Sequence, residues 1–143
     1  GYSSDPAAVL KKTFDNSEKY SEPVVLRDIS FVSHCEHHLA PINGFVDVAY
    51  VPSERIVGIS KIARVVECFA RRLQTQETMT AQIANCIQDN LMPAGTAVRS
   101  RATHACMTNR GVCKSGTLMT TSTFKGVFLS DLALKHQFLN GQN

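Results

Sequence analysis

The chain has 143 residues, a formal net charge of +3, and 43% hydrophobic and 19% charged residues. This length suits one globular domain rather than two, and we expect a single domain over residues 1–143. The mild positive charge comes without a basic block or interleaved aromatic residues, so the composition argues against nucleic-acid binding. No apolar run approaches the roughly 18 residues of a membrane span, and no signal peptide is visible. Five cysteines without disulfide-like spacing indicate a reducing compartment, and we expect the cytoplasm.

The first third of the chain predicts a short helix followed by two strands. Asp5 can cap a helix that has Pro6 in its first turn. Glu22–Ser33 and Gly44–Pro52 have the composition of strands, and the second alternates with period two. The segment between the strands carries the sequence CEHHLAPIN and is predicted to join them.

Two amphipathic helices are predicted next. The first begins at Ser60, a candidate N-cap, and its apolar residues have spacings of four, three and four at Ile62, Val66, Phe69 and Leu73. The second follows the same period and is stopped by Pro93 and Gly95. Its apolar positions are Met79, Ile83, Ile87 and Leu91.

Two more strands are predicted within Thr96–Thr108 and Thr117–Phe128, and a last helix over Ser130–Leu139. The order β-β-α-α-β-β, with a helix at each end, predicts an α+β fold with an antiparallel sheet. The two central helices would cover one face of this sheet. We expect its other face or its edges to be closed by neighbouring subunits.

One cysteine and three histidines fall within five residues, HCEHH. On a helical turn Cys35 and His38, three apart, would share a face, and on a strand His104 and Cys106, two apart, would do the same. Thiolate and imidazole ligands suit zinc. If Cys35, His38 and Cys106 bind the metal, His37 and His104 remain as uncoordinated imidazoles for proton transfer. This combination is typical of metal-assisted hydrolysis.

The residues alone leave two other readings of this cluster open. Cys35, His38, His104 and Cys106 could form a closed structural Cys2His2 site, since four protein ligands complete the coordination of zinc. The cluster could also bind no metal at all.

Two further groups of residues suggest how an anionic purine ligand would bind. Lys61 and Arg64 share one face of a helix start, where N–H groups and the helix dipole favour phosphate, and the guanidinium of Arg110 can fork onto phosphate oxygens. Gln76 and Glu77 open the next helix, and a carboxylate there can accept two hydrogen bonds from the guanine edge. The alternatives are a solvated basic face and a simple helix-capping carboxylate.

Three separated stretches, SHCEHHLAPINGFVDVAYVP, VGISKIARVVECFARRLQTQETMTAQIA and ATHACMTNRGV, resemble GTP cyclohydrolase I, and the resemblance covers almost the whole chain. It implies the tunnelling fold (T-fold), a β-β-α-α-β-β unit that oligomerises into a β-barrel, and a homodecamer with active sites between subunits. The implied reaction converts GTP and water to 7,8-dihydroneopterin triphosphate and formate, with Zn²⁺ as cofactor. It is the first step of tetrahydrofolate and pterin biosynthesis.

The resemblance also implies roles for individual residues. Cys35, His38 and Cys106 match the zinc ligands of the family, and His37 and His104 match its catalytic histidines. The residues implied to bind the substrate are Ser60, Lys61, Arg64, Gln76, Glu77 and Arg110.

Some features of the sequence depart from the family pattern. Relatives usually carry an N-terminal helical segment, so we expect the natural chain to begin before Gly1. Arg99 and Arg101 stand where relatives more often have apolar or acidic residues, and their odd parity against His104 predicts that they point away from the metal face. Two other functions compete: a tunnelling-fold enzyme acting on a pterin or deazapurine, and a non-catalytic zinc-stabilised scaffold. The spare imidazoles argue against the scaffold.

Overall fold

The computed structural model describes residues 5–36, 39–105 and 117–141. Within these ranges the helices are α1 (Pro6–Val9), α2 (Ile59–Ala70), α3 (Gln76–Leu91), α4 (Val127–Ser130) and α5 (Leu132–Asn140). The strands are β1 (Phe14–Asp15), β2 (Val24–Cys35), β3 (Pro41–Val51), β4 (Arg55–Ile56), β5 (Leu73–Gln74), β6 (Gly95–His104) and β7 (Met119–Gly126).

The centre of the fold is a five-stranded sheet in the order β5-β2-β3-β6-β7. The four long strands pair antiparallel, and the two-residue β5 runs parallel to β2. The predicted order β-β-α-α-β-β with a helix at each end is therefore confirmed, with β1 and β4 as a separate small ladder. In the described part of the chain, no helix is long and apolar enough to cross a membrane.

The main core lies between the sheet and the helix pair α2 and α3. The four apolar positions predicted on α3 are all buried, because the 3.6-residue period puts them on one face. They pack in one cluster with inward-facing strand residues such as Val46 and Val48. Fully burying such a side chain stabilises the fold by about 1.5–3 kcal/mol. The predicted cover of one sheet face by two helices is confirmed.

A second, smaller core lies on the opposite face of the sheet. Ala49 and Val51 of β3 pack there with Phe128 of α4 and Phe138 of α5. The Phe138 ring meets the ring of Phe128 edge-on, with centroids 6.0 Å apart. The C-terminal helices therefore cover part of this face, which explains why β3 is buried on both sides from Val46 to Val51.

The predictions for both ends of α2 were wrong. The N-cap is Gly58 and not Ser60, because the first helical residue is Ile59, and the Gly58 carbonyl accepts a hydrogen bond from the N–H of Lys61 at 3.0 Å. The helix ends at Ala70, so Leu73 is not on its apolar face. Leu73 instead pairs with β2 as part of β5 and is 45% exposed.

The predicted C-terminal helix, Ser130–Leu139, corresponds to α5 (Leu132–Asn140), and the short helix α4 (Val127–Ser130) precedes it. Asp131 separates them in an extended conformation and caps α5, since its carboxylate accepts a hydrogen bond from the N–H of Leu134 at 3.1 Å. Local capping by an aspartate is the reason why the helical pattern restarts here.

A cluster of charged side chains lies on the same face as the smaller core. The carboxylate of Asp47 is fully buried and accepts hydrogen bonds from Arg99 (3.0 Å), Arg101 (3.1 Å) and Arg27 (3.4 Å). A bulge in β2 turns Asp28 to a φ of 58°, so that its N–H donates to Asp47 at 2.9 Å. Arg99 and Arg101 therefore point away from the face of His104, as predicted. Burial raises the pKa of Asp47, but the Asp28 N–H and the two cations Arg99 and Arg101 outweigh it and lower the pKa.

Candidate active site

The candidate site lies at the end of the sheet where β2 and β6 both finish. Ser33 of β2, Ile42 of β3 and His104 of β6 stand opposite one another in one row across three strands. Neighbouring strands are about 4.8 Å apart, so the ends of β2 and β6 lie about 10 Å apart. Cys35 follows two residues after Ser33 and pairs with Gln74 of β5. The sheet thus brings Cys35 and His104 to the same end of its strands.

The backbone fixes Cys35 at the end of β2 on both sides. Its N–H donates to the carbonyl of Ala40 at 2.9 Å, and its own carbonyl accepts from the N–H of Leu39 at 2.7 Å. The residue is buried, with 8% of its surface exposed. The intervening His37 and His38 lie outside the described residues.

His104 is half-buried at the end of β6, and two residues of α3 act on it. Its Nε2 lies 2.7 Å from Oε1 of Gln76, the first residue of that helix. Burial lowers the pKa of His104, and the negative charge of Glu77 opposes this. The side chain of Glu77 is exposed in the first turn of α3. Three predicted site residues, Gln76, Glu77 and His104, are therefore brought together.

The predicted triphosphate residues on α2 lie elsewhere in the same chain. Ser60, Lys61 and Arg64 begin this helix, whose other end leads into β5 beside Cys35. With a rise of about 1.5 Å per residue, Ser60 lies about 15 Å along the axis from Ala70 at the Cys35 end.

The contacts at the start of α2 also place it at the end of the sheet away from His104. The N–H of Val57 donates to the hydroxyl oxygen of Tyr50 at 3.3 Å, and Tyr50 pairs with Thr96 near the start of β6. His104 is at the opposite end of β6. One chain therefore does not bring the start of α2 to His104.

The remaining predicted site residues, Cys106 and Arg110, lie outside the described residues, as do His37 and His38. Among the described residues, no group of three or more His, Cys, Asp or Glu side chains is close enough to hold a metal ion. Because His38 and Cys106 are not among them, the zinc set with Cys35 stays a prediction.

Sequence reasoning missed the polar network that holds the start of α3. The hydroxyl oxygen of Thr80 lies 2.8 Å from the carbonyl oxygen of Gln76, 2.9 Å from Oγ of Ser100 and 2.7 Å from Oγ1 of Thr121. The signal that could have found it is a run of hydroxyl residues on facing positions of two strands, since Ser100 pairs directly with Thr121. This network ties the helix to β6 and β7 next to His104.

A solved structure shows the class of fold to which this arrangement belongs. The crystal structure of an archaeosine synthase QueF-like protein in the apo form matches with a TM-score of 0.60, 15% identity, and coverage of 73% of this chain and 93% of that chain. The likeness shows the fold alone. The chain is a tunnelling-fold protein, with a mixed sheet and helices packed on it.

Sequence comparison gives the family within that fold. The family model of GTP cyclohydrolase I matches residues 1–143. GTP cyclohydrolase 1 of Hyphomonas neptunium is 53% identical over 98% of this chain and 68% of its own length. The protein of the same name from Maricaulis maris is 52% identical over 97% of this chain and 68% of its own length. The chain belongs to the GTP cyclohydrolase I family.

Proposed function

We propose that this chain is a zinc-dependent hydrolase that converts GTP and water to 7,8-dihydroneopterin triphosphate and formate, the first step of tetrahydrofolate and pterin biosynthesis in the cytoplasm. Residues 1–143 would act as one catalytic domain. The observation that carries the proposal is the family match over the whole chain. The meeting of Cys35, His104 and Glu77 around one end of the sheet supports it.

Zinc would be held by Cys35, His38 and Cys106. The donor set fits this metal, since thiolates and imidazole are the ligands that zinc prefers, and Cys35 offers a buried thiol at a fixed strand end. When bound, zinc supplies a polarised water that can act as a nucleophile near neutral pH. Three protein ligands would leave the fourth position for that water.

The guanine base would be held by Glu77. Its carboxylate can accept from the ring N–H and the exocyclic amino group that guanine presents side by side. Its exposure in the first turn of α3 leaves it accessible to a ligand, and its charge acts on His104, so a base held there would lie near that imidazole. His104 and His37 would donate and accept the protons that ring opening requires.

Ser60, Lys61, Arg64 and Arg110 would hold the ribose and the triphosphate. The N–H groups and cations at the start of α2 suit an anionic ligand. Since one chain keeps Ser60, Lys61 and Arg64 at the other end of the sheet from His104, a complete site needs these side chains from a second copy. A homodecamer with sites between subunits satisfies this requirement.

The first test is GTP turnover by the zinc-loaded protein, measured by formate release and by the fluorescence of the oxidised pterin. We expect both products from the wild type. His104→Ala should lose turnover while zinc content and oligomer size stay unchanged. Turnover absent in a wild type that binds zinc and assembles would overturn the proposal and favour the scaffold. Formate without pterin would limit the activity to ring opening.

The shared site can be tested by complementation between two inactive variants. His104→Ala damages one half of the proposed site and Lys61→Ala the other. When the two are co-expressed, each half is intact with a probability of one half, so we expect about a quarter of the wild-type activity from mixed rings. Mixed oligomers that form but stay inactive would contradict a site built from two copies.

A further inference from the structure

The amide group of Gln76 is held in one orientation. Its side chain is only 1% exposed. Nε2 lies 3.0 Å from the carbonyl oxygen of Ser100, 3.0 Å from that of Met119, and 3.3 Å from Oγ1 of Thr121. Carbonyl oxygens only accept hydrogen bonds, so the amide atom that faces them must be the NH2 group. The usual ambiguity between the nitrogen and the oxygen of a glutamine amide is therefore removed by its neighbours.

The orientation of this amide determines which atom of His104 carries a hydrogen. Oε1 of Gln76 lies 2.7 Å from Nε2 of His104 and has no hydrogen to donate. The hydrogen in this contact therefore belongs to Nε2 of the imidazole. A neutral His104 ring is then the Nε2–H tautomer, with its lone pair on Nδ1.

We infer that Gln76 is a positioning residue that, by this hydrogen bond, fixes the tautomer and ring orientation of His104. The inference rests on the proposed function of the site. It assigns to the Gln76 side chain a role that differs from direct substrate binding. Outer partners that orient metal-ligating imidazoles typically contribute about 10- to 100-fold to activity or metal affinity, and we expect an effect of the same size for the orientation of His104.

The surroundings of Gln76 oppose a rotation of its side chain toward a ligand. Rotating the amide by half a turn would place Oε1 against the carbonyl oxygens of Ser100 and Met119 and lose both hydrogen bonds. The Thr80 hydroxyl, 2.8 Å from the Gln76 carbonyl oxygen, holds the backbone of the same residue against β6 and β7. A buried polar group left without its partner costs about 1–3 kcal/mol, so the observed orientation is strongly preferred.

The kinetic test uses Gln76→Met, which keeps the length of the side chain and removes its hydrogen bonds. We expect kcat to fall by about 10- to 100-fold with KM for GTP little changed, because Gln76 would act through His104 and not on the substrate. A KM that rises while kcat holds would overturn the inference in favour of direct GTP contact. In the His104→Ala background, Gln76→Met should have no further effect on the residual turnover. If the double variant instead loses turnover by the product of the two separate effects, the inference is contradicted.

Gln88→Met is the matched control. Gln88 is on the same helix, its Nε2 donates to the carbonyl of Pro93 at 3.1 Å, and its Oε1 accepts from the hydroxyl of Thr96 at 2.9 Å. Gln88→Met therefore loses the same kind of side-chain hydrogen bonds, but at the end of α3 away from His104. We expect kcat to stay close to that of the wild type. If Gln88→Met lowers kcat as much as Gln76→Met does, the effect comes from a general loosening of α3, and the inference is overturned.

A spectroscopic test does not depend on turnover. The nitrogen-15 resonances of histidine in zinc-loaded, assembled protein distinguish the two neutral tautomers, and comparison with His104→Ala assigns the signal. We expect the Nε2–H tautomer in the wild type and a changed tautomer population in Gln76→Met. The Nδ1–H tautomer in the wild type would refute the inference even if the variant fails to assemble. This measurement stays informative if the wild type shows no GTP turnover, so the two proposals fail separately.

Discussion

The strongest stability prediction concerns Asp47, whose carboxylate is fully buried among three arginines. Asp47→Asn keeps the shape of the side chain and removes its charge. The guanidinium groups of Arg27, Arg99 and Arg101 would then remain largely buried, with side-chain exposures of 11%, 17% and 29%, near a neutral amide. The Asn amide can keep one or two of the four hydrogen bonds that Asp47 accepts, because its NH2 group is a donor and faces donors.

The size of the effect follows from the burial of the pair. Removing one partner of a buried ion pair costs about 3–5 kcal/mol, because an uncompensated charge is left away from water. Typical stabilities are about 5–15 kcal/mol, so the loss is a large fraction of the total. Asp15→Asn is the matched control: Asp15 pairs with Arg55 at the surface and is 81% exposed. An exposed pair contributes about 0–1 kcal/mol.

The assay is urea unfolding of both variants and the wild type at one fixed protein concentration, since an oligomer gains stability from assembly. The same comparison at several pH values tests the charge itself. The pKa of Asp47 is lowered below its ordinary 3.8, so its contribution is present above that pH and is lost as the pH falls through the folded-state pKa. The difference in the free energy of unfolding between the wild type and Asp47→Asn should become smaller below pH 3.8. A loss for Asp47→Asn no larger than that for Asp15→Asn would refute the reasoning.

Three further substitutions have defined expectations. Cys35→Ser should abolish zinc binding measured by metal analysis, whereas Cys68→Ser, at a cysteine of α2 with similar burial, should keep it; equal zinc contents would contradict the ligand assignment. Glu77→Gln should lower kcat/KM for GTP by roughly 10- to 100-fold, because hydrogen bonds to a charged group contribute about 1.5–3 kcal/mol, and unchanged kinetics would remove Glu77 from the base site. Phe138→Ala should cost about 3–5 kcal/mol in unfolding experiments, as a buried aromatic is removed; a loss below 1 kcal/mol would mean that α5 packs only loosely on the sheet.

Much of the fold was predictable because the apolar period of a helix is a local property of the sequence. The spacing of Met79, Ile83, Ile87 and Leu91 predicted the buried face of α3, and all four are buried. Errors occurred where tertiary contacts decide. Leu73 continued a helical period but pairs with β2, and a two-residue strand leaves no periodic signal in a sequence.

The charge cluster shows a second limit of the sequence. Parity alone predicted that Arg99 and Arg101 point away from the face of His104, and they do. It did not predict that Asp47 stands directly opposite Arg99 in the neighbouring strand, because register between β3 and β6 depends on a pairing across 52 residues. A buried carboxylate in an otherwise apolar strand is the signal that requires cations nearby.

The site shows the same division between local and distant information. Spacing singled out Cys35 and His104, because residues that share a face of a turn or a strand follow short local rules. The contact between Gln76 and His104 joins residues 28 apart and depends on how α3 packs against β6. The position of Ser60 and Lys61, at the end of the sheet away from His104, is likewise a property of the assembled fold. A sequence match can group all these residues in one site, but the geometry of a single chain separates them. The proposed enzyme therefore needs at least two copies for each site, and assembly and activity should be lost together.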